Sequence, residues 1–141
     1  MLIRVRFSKL GSLKFIGHLD VMRYFQKVLS RSGLPIKYTQ GFHPHQIMSF
    51  ASPLGVGLTS DGEYMDFELE EDRTEEVINS ALQAALTEGF RISKVTILNP
   101  RVLNVKKVSA MALVDSADYF IFQKDGTCKC EEETASFMTA F

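Results

Sequence analysis

The stretch EYMDFELE (63–70) changes polarity at every step, with Met65, Phe67 and Leu69 on one side and Tyr64, Asp66, Glu68 and Glu70 on the other. A period of two marks a strand buried on one face, and its polar face here is acidic. Upstream, LIRVRFS (2–8) repeats the pattern, with Ile3, Val5 and Phe7 inward and Leu2, Arg4, Arg6 and Ser8 outward. Downstream, FRISKVTIL (90–98) does so again, with Phe90, Ile92, Val95 and Ile97 inward, until Asn99-Pro100 breaks it.

Between these strands the period lengthens to that of a helix. From His18 to Ser32, Leu19, Met22, Phe25 and Leu29 recur at helical spacing, and Val21, Tyr24 and Val28 widen the stripe. Asp20 in the first turn and Arg31 in the last suit the helix dipole, and Gly33 with Pro35 ends the helix. A second helix runs through EEVINSALQAAL, its stripe made of Val77, Ile78, Ala81, Leu82, Ala85 and Leu86, and Gly89 closes it. Asp72 with Glu75 is the better capping box, because Thr74 is followed three places on by Val77 rather than by an acid. IKYT (36–39) and IMSFASPL (47–54) are short strand segments.

The order strand, helix, strand, strand, helix, strand is the ferredoxin-like βαββαβ pattern of an α+β protein, and it occupies residues 1–98. Residues 99–141 read as an extension of the same domain, with a short helix near 109–116, a strand near 118–123 and a tail expected to be disordered. The strand near 118–123 has no obvious neighbour. It is expected either to pair with an edge of the first sheet or to belong to a domain that continues past residue 141.

A chain of 141 residues with 45% apolar content suits one domain with a core that needs no staples. Cys128 and Cys130 form a CxC with no partner elsewhere, which leaves no disulfide framework and fits a reducing compartment. No apolar run approaches the roughly 20 residues of a membrane span, and no secretion signal is visible. The expectation is a cytoplasmic protein. The net charge of −1 hides an asymmetry: residues 1–60 hold eight Lys or Arg against one acid, whereas residues 61–141 hold eight against sixteen. Either the basic half presents one face to a polyanion, or the two halves interleave and pair.

The most unusual stretch is TQGFHPHQIMSFASPLGVGLTSDGEY (39–64), which combines imidazoles, hydroxyls and glycines. His18, His43 and His45 are all the histidines of the chain. A three-histidine metal site with Asp20 is conceivable, but the spacing fits no zinc signature, and histidines with structural hydrogen bonds, or contacts to an anionic partner, explain them as well. Asp20 and Arg23 stand three apart, as an ordinary helix-surface ion pair does. Lys27 continues that row, and with Arg4, Arg6, Lys9 and Lys14 it makes the best polyanion face. Phe15, Tyr24, Tyr38 and Phe42 are aromatic residues of the kind that stack on bases, although core packing explains most aromatics. Asp66 and Glu68 share a strand face, as an acid–base pair or a solvated strand would. Nucleophile-elbow and phosphate-loop motifs are absent.

Residues 15–69 resemble the bacterial radical SAM-linked family, also described as DUF2344. The likeness rests on His18-Leu19-Asp20 with Arg23, then Gly33-Leu34-Pro35, then Gly41-Phe42 with Pro44-His45. Ser49-Phe50, Pro53-Leu54, Gly57, Ser60, Glu63-Tyr64 and Asp66 complete it. A weaker likeness continues to ALVDSADY (112–119). The family usually has Asn where this chain has His43 and Pro where it has Gln46, so only His18 and His45 match its pattern, against a three-histidine site.

The resemblance implies a partner more than a reaction, because the family occurs beside or fused to a radical SAM protein. That partner would carry S-adenosylmethionine and an iron–sulfur cluster, for which this chain has no cysteine set. The expectation is an accessory module that binds substrate or docks, acting on RNA or another anion, with His18, Asp20, Arg23, Phe42, His45 and Ser49 as the binding candidates. Two alternatives stand beside it: a self-contained enzyme using His18 and His45 as acid–base groups or metal ligands, and a structural or assembly domain.

Overall fold

The computed structural model describes residues 1–52, 54–98 and 114. Strand β1 (Leu2–Lys9) leads through a 3₁₀ turn (Gly11–Phe15) into helix α1 (His18–Arg31). Strands β2 (Met48–Phe50) and β3 (Ser60–Glu68), helix α2 (Glu75–Ala85) and strand β4 (Phe90–Leu98) follow. The strands form one sheet in the order β2-β3-β1-β4, and every neighbouring pair is antiparallel. Each helix connects two strands that have a third between them, which is the ferredoxin-like arrangement. IKYT contributes less than a strand: Ile36 bridges to Leu69 and Tyr38 to Gln46, while Met48–Phe50 carries the ladder. Of the stretch near 109–116 only residue 114 is described, and it is not helical, while the strand near 118–123, the tail and its two cysteines lie outside the described residues.

One face of the sheet carries the core. Ile3, Val5 and Phe7 of β1 and Met65 and Phe67 of β3 pack against Val21, Phe25, Val28 and Leu29 of α1 and Ile78 and Leu82 of α2. Phe7 is at the centre, its ring 4.6 Å from that of Phe25, 6.0 Å from Phe50 and 6.1 Å from Phe90. Such tilted and edge contacts suit the aromatic quadrupoles. Leu19 and Val77, expected in the helical stripes, are instead exposed. On α1 two overlapping stripes share the buried face: Phe25 and Leu29 of one and Val21 and Val28 of the other are buried, with Phe25 in the aromatic cluster.

β4 buries Phe90, Ile92 and Val95, although 92 and 95 differ in parity. A β-bulge reconciles them. Arg6 is opposite Lys94 and Phe7 opposite Ile92, so Ser93 is the extra residue, and its hydroxyl donates to the Arg6 carbonyl at 3.2 Å. The cap of α2 also departs from expectation: Thr74 is the N-cap, its Oγ1 accepting from Val77 N at 3.4 Å. A threonine cap needs no acid at the third position, only loses the reciprocal bond. Glu75 turns instead to β4, where its Oε1 accepts from Ile97 N at 2.9 Å.

The opposite face is polar yet buried. Arg4 donates to both carboxylate oxygens of Asp66, at 2.8 and 2.9 Å, directly across the β1–β3 register. Lys37 donates to Glu68 at 3.1 Å. The acidic strand face is thus paired rather than solvated, and the basic and acidic halves of the chain interleave in one sheet.

Candidate functional site

The inward rows of β1 and β3 do not end in apolar residues. Lys9 continues the row of Val5 and Phe7, and Glu63 continues that of Met65 and Phe67. Ser52 follows Phe50 with the same parity just beyond β2. These three polar groups converge on a cleft that His18 joins from the first turn of α1, with Phe7, Val21, Phe50 and Leu54 as its apolar walls. The His18 ring stands edge-on to Phe50 at 5.3 Å. The cleft holds about 10 Å³, room for about one water and no more.

Lys9 is 1% exposed. Its Nζ donates to the Ile16 carbonyl at 2.9 Å and to the Gly55 carbonyl at 3.4 Å, tying the approach to α1 to the loop after β2. Burial pushes the Lys9 ammonium below the ordinary lysine range, and the Glu63 charge opposes that shift. Burial likewise pushes the Glu63 carboxyl above the ordinary range, against a hydrogen bond with Ser60 and the Lys9 charge. A lysine and a carboxyl whose proton affinities are drawn toward each other, with an imidazole on the same cleft, form an acid–base cluster of the kind found at working sites.

The segments that flank this cleft carry an apolar collar of exposed side chains: Phe15 is 68%, Leu19 62% and Val56 65% exposed. They are held together. Gly57, at φ +89°, donates its N–H to the Lys14 carbonyl at 2.5 Å, and a Cβ on Gly17 would meet Val56 Cγ2 at 3.6 Å. Val56 therefore lies against the segment between Phe15 and Leu19.

The residues singled out from sequence are dispersed. His18 is in the cleft. Asp20 and Arg23 form their expected exposed pair at 3.6 Å on the outer side of α1. Phe42, His43 and His45 belong to an exposed loop, where His45 Nδ1 is 3.1 Å from Thr39 Oγ1. Ser49 is opposite Asp66, on the face of the sheet away from the core. The basic face is corrected. Arg4 is buried against Asp66, Lys9 is buried in the cleft, Arg6 and Lys14 are half-buried, and only Lys27 of the five is exposed. Among the described residues no group of three or more His, Cys, Asp or Glu is placed to hold a metal ion. Ser52 is absent from the sequence reading as a site residue, Glu63 entered it only as a match to the family pattern, and Lys9 only as part of the basic face. The signal was parity, since charged residues at 9 and 63 continue the inward rows.

The fold and the cleft define a small ferredoxin-like α+β domain with a polar cluster at one end of its core, and among the described residues no helix is long and apolar enough to cross a membrane. The chain belongs to the family described as "Uncharacterized protein conserved in bacteria (DUF2344)", whose profile matches residues 2–140. No curated protein and no solved structure matches it.

Proposed function

We propose that this chain is an accessory module that docks beside a radical SAM enzyme in the bacterial cytoplasm and helps present an anionic substrate to it. The partner would hold the iron–sulfur cluster and S-adenosylmethionine. The observation that carries the reading is the apolar collar around a cleft with room for about one water. Exposed apolar groups beside a half-buried polar cluster are characteristic of an interface, and so small a cleft offers a substrate little space in the isolated chain. The sequence likeness to the radical SAM-linked family names the partner class.

Capture of a tagged protein from bacterial extract tests the proposal. A radical SAM protein is expected to co-purify with the wild-type chain and to be lost with Leu19→Asp or Val56→Asp, while both variants unfold at the wild-type midpoint. Folded wild-type protein that retains no such enzyme would overturn it. The convergence of Lys9 and Glu63 on one cleft favours a second reading, a self-contained enzyme with these groups and His18 moving protons. Turnover by the purified chain alone, abolished by Glu63→Gln, would select it.

A further inference from the structure

Phe42 is 100% exposed, at the end of a loop whose base is firmly built. Tyr38 bridges to Gln46, Thr39 N–H donates to the His45 carbonyl at 2.8 Å, and His45 N–H donates to Thr39 Oγ1 at 3.1 Å. Ile47 N–H donates to the Lys37 carbonyl at 2.9 Å. The Gln46 amide then fastens the loop to α1, donating to the Gln26 carbonyl at 3.2 Å and to Ser30 Oγ at 2.9 Å. A loop with an ordered base has already lost part of the backbone entropy that binding would otherwise remove. Beside it Tyr38 is 45% exposed, a second ring on the same loop.

The sequence that carries this loop is one-sided in charge. No Asp or Glu occurs from residue 21 to residue 60, a span that contains Arg23, Lys27, Arg31 and Lys37. Lys37 is paired with Glu68 and Arg31 donates to the Ala85 carbonyl at 3.0 Å. Lys27 is exposed on the helix that anchors the loop, and Arg23 is held only by a solvent-exposed contact with Asp20, which is worth little. Exposed rings on a loop anchored to a helix that presents exposed cations are recurring elements of single-strand recognition: the rings stack on unpaired bases and the cations follow the phosphates. A protein pocket would also accept Phe42, but would give no reason for the exposed cations Lys27 and Arg23 on the helix that anchors its loop.

We infer that the loop Tyr38–Gln46 is a stacking finger for single-stranded nucleic acid, with Phe42 as its platform and Lys27 and Arg23 of α1 as phosphate contacts. This names a chemical class for the anionic substrate and rests on that part of the proposed function, not on docking to an enzyme. Duplexes, whose bases are already stacked, are poorer ligands.

Fluorescence anisotropy with a short labelled single-stranded RNA, and with the same RNA as a duplex, tests it on the whole chain. The single strand is expected to bind more tightly. Phe42→Ala should weaken it roughly five- to 150-fold, and Phe42→Trp should restore it. Lys27→Ala should weaken binding and flatten its salt dependence. Phe42 contacts nothing that folding needs, so its variants stay folded. No binding at low salt, equal binding of duplex and single strand, or indifference to Phe42→Ala would overturn the inference. So would a Phe42→Ala chain that keeps its RNA affinity but loses a protein partner. Leu19→Asp and Val56→Asp should keep RNA binding while losing the enzyme, so the two proposals fail separately.

Discussion

Asp66 accepts two hydrogen bonds from Arg4 where neither group meets much water. Removing one partner breaks a buried ion pair, at a cost of about 3–5 kcal/mol, whereas replacing both with apolar residues of similar volume is close to neutral. Asp66→Ala is therefore expected to lower the urea midpoint sharply, and Arg4→Met with Asp66→Leu to recover most of the loss. Glu63 makes a different prediction. Its folded-state proton affinity is raised, so its ionised form opposes folding at neutral pH, and that penalty is relieved as pH falls toward the ordinary glutamate range. Lys9 has the mirrored sign, its penalty being relieved only as pH rises into the alkaline range. Stability of wild type relative to Glu63→Gln should accordingly improve from neutral to mildly acidic pH. A difference that stays flat across that window would remove the buried-carboxyl assignment.

Among the elements, the inward rows of β1 and β3 were legible from period two alone. So, in principle, were Lys9 and Glu63, because parity does not stop where the apolar residues do. The bulge at Ser93 was not legible, since nothing in FRISKVTIL says which residue is surplus until Arg6 and Phe7 stand opposite it. Nor was the assembly of the cleft, which joins the ends of two strands, a loop and a helix from separate parts of the chain. The loop before β4 carries its own test. Gly89 sits at φ +98°, and a Cβ there would approach Leu13 Cδ1 to 2.5 Å. Gly89→Ala meets both backbone strain and a clash with the 3₁₀ turn, and should cost about 1–3 kcal/mol by chemical denaturation. Gly11, also at positive φ but with open space around it, should cost less when changed to Ala.

For the molecule as a whole, the charge asymmetry of the sequence has a structural outcome. Cations of the first half meet acids of the second across the sheet, as Arg4 meets Asp66 and Lys37 meets Glu68. Among the described residues, the outer side of α1 with the Phe42 loop, and the collar of Phe15, Leu19 and Val56, stay exposed. Leu19→Asp and Val56→Asp alter only exposed positions, so an unchanged unfolding midpoint is the control that makes a lost partner meaningful.

β1 is the first strand in the chain and an inner strand of the sheet, with Leu2 opposite both Glu68 and Leu98. A ribosome delivers it long before either neighbour exists. At about 5–20 residues per second, β1 waits from seconds to tens of seconds with both edges open. During that interval the charges of Arg4 and Arg6 interrupt the run Ile3, Val5, Phe7 and act as gatekeepers against pairing between nascent copies. The same guanidinium that ends buried against Asp66 thus begins as protection for an unfinished chain.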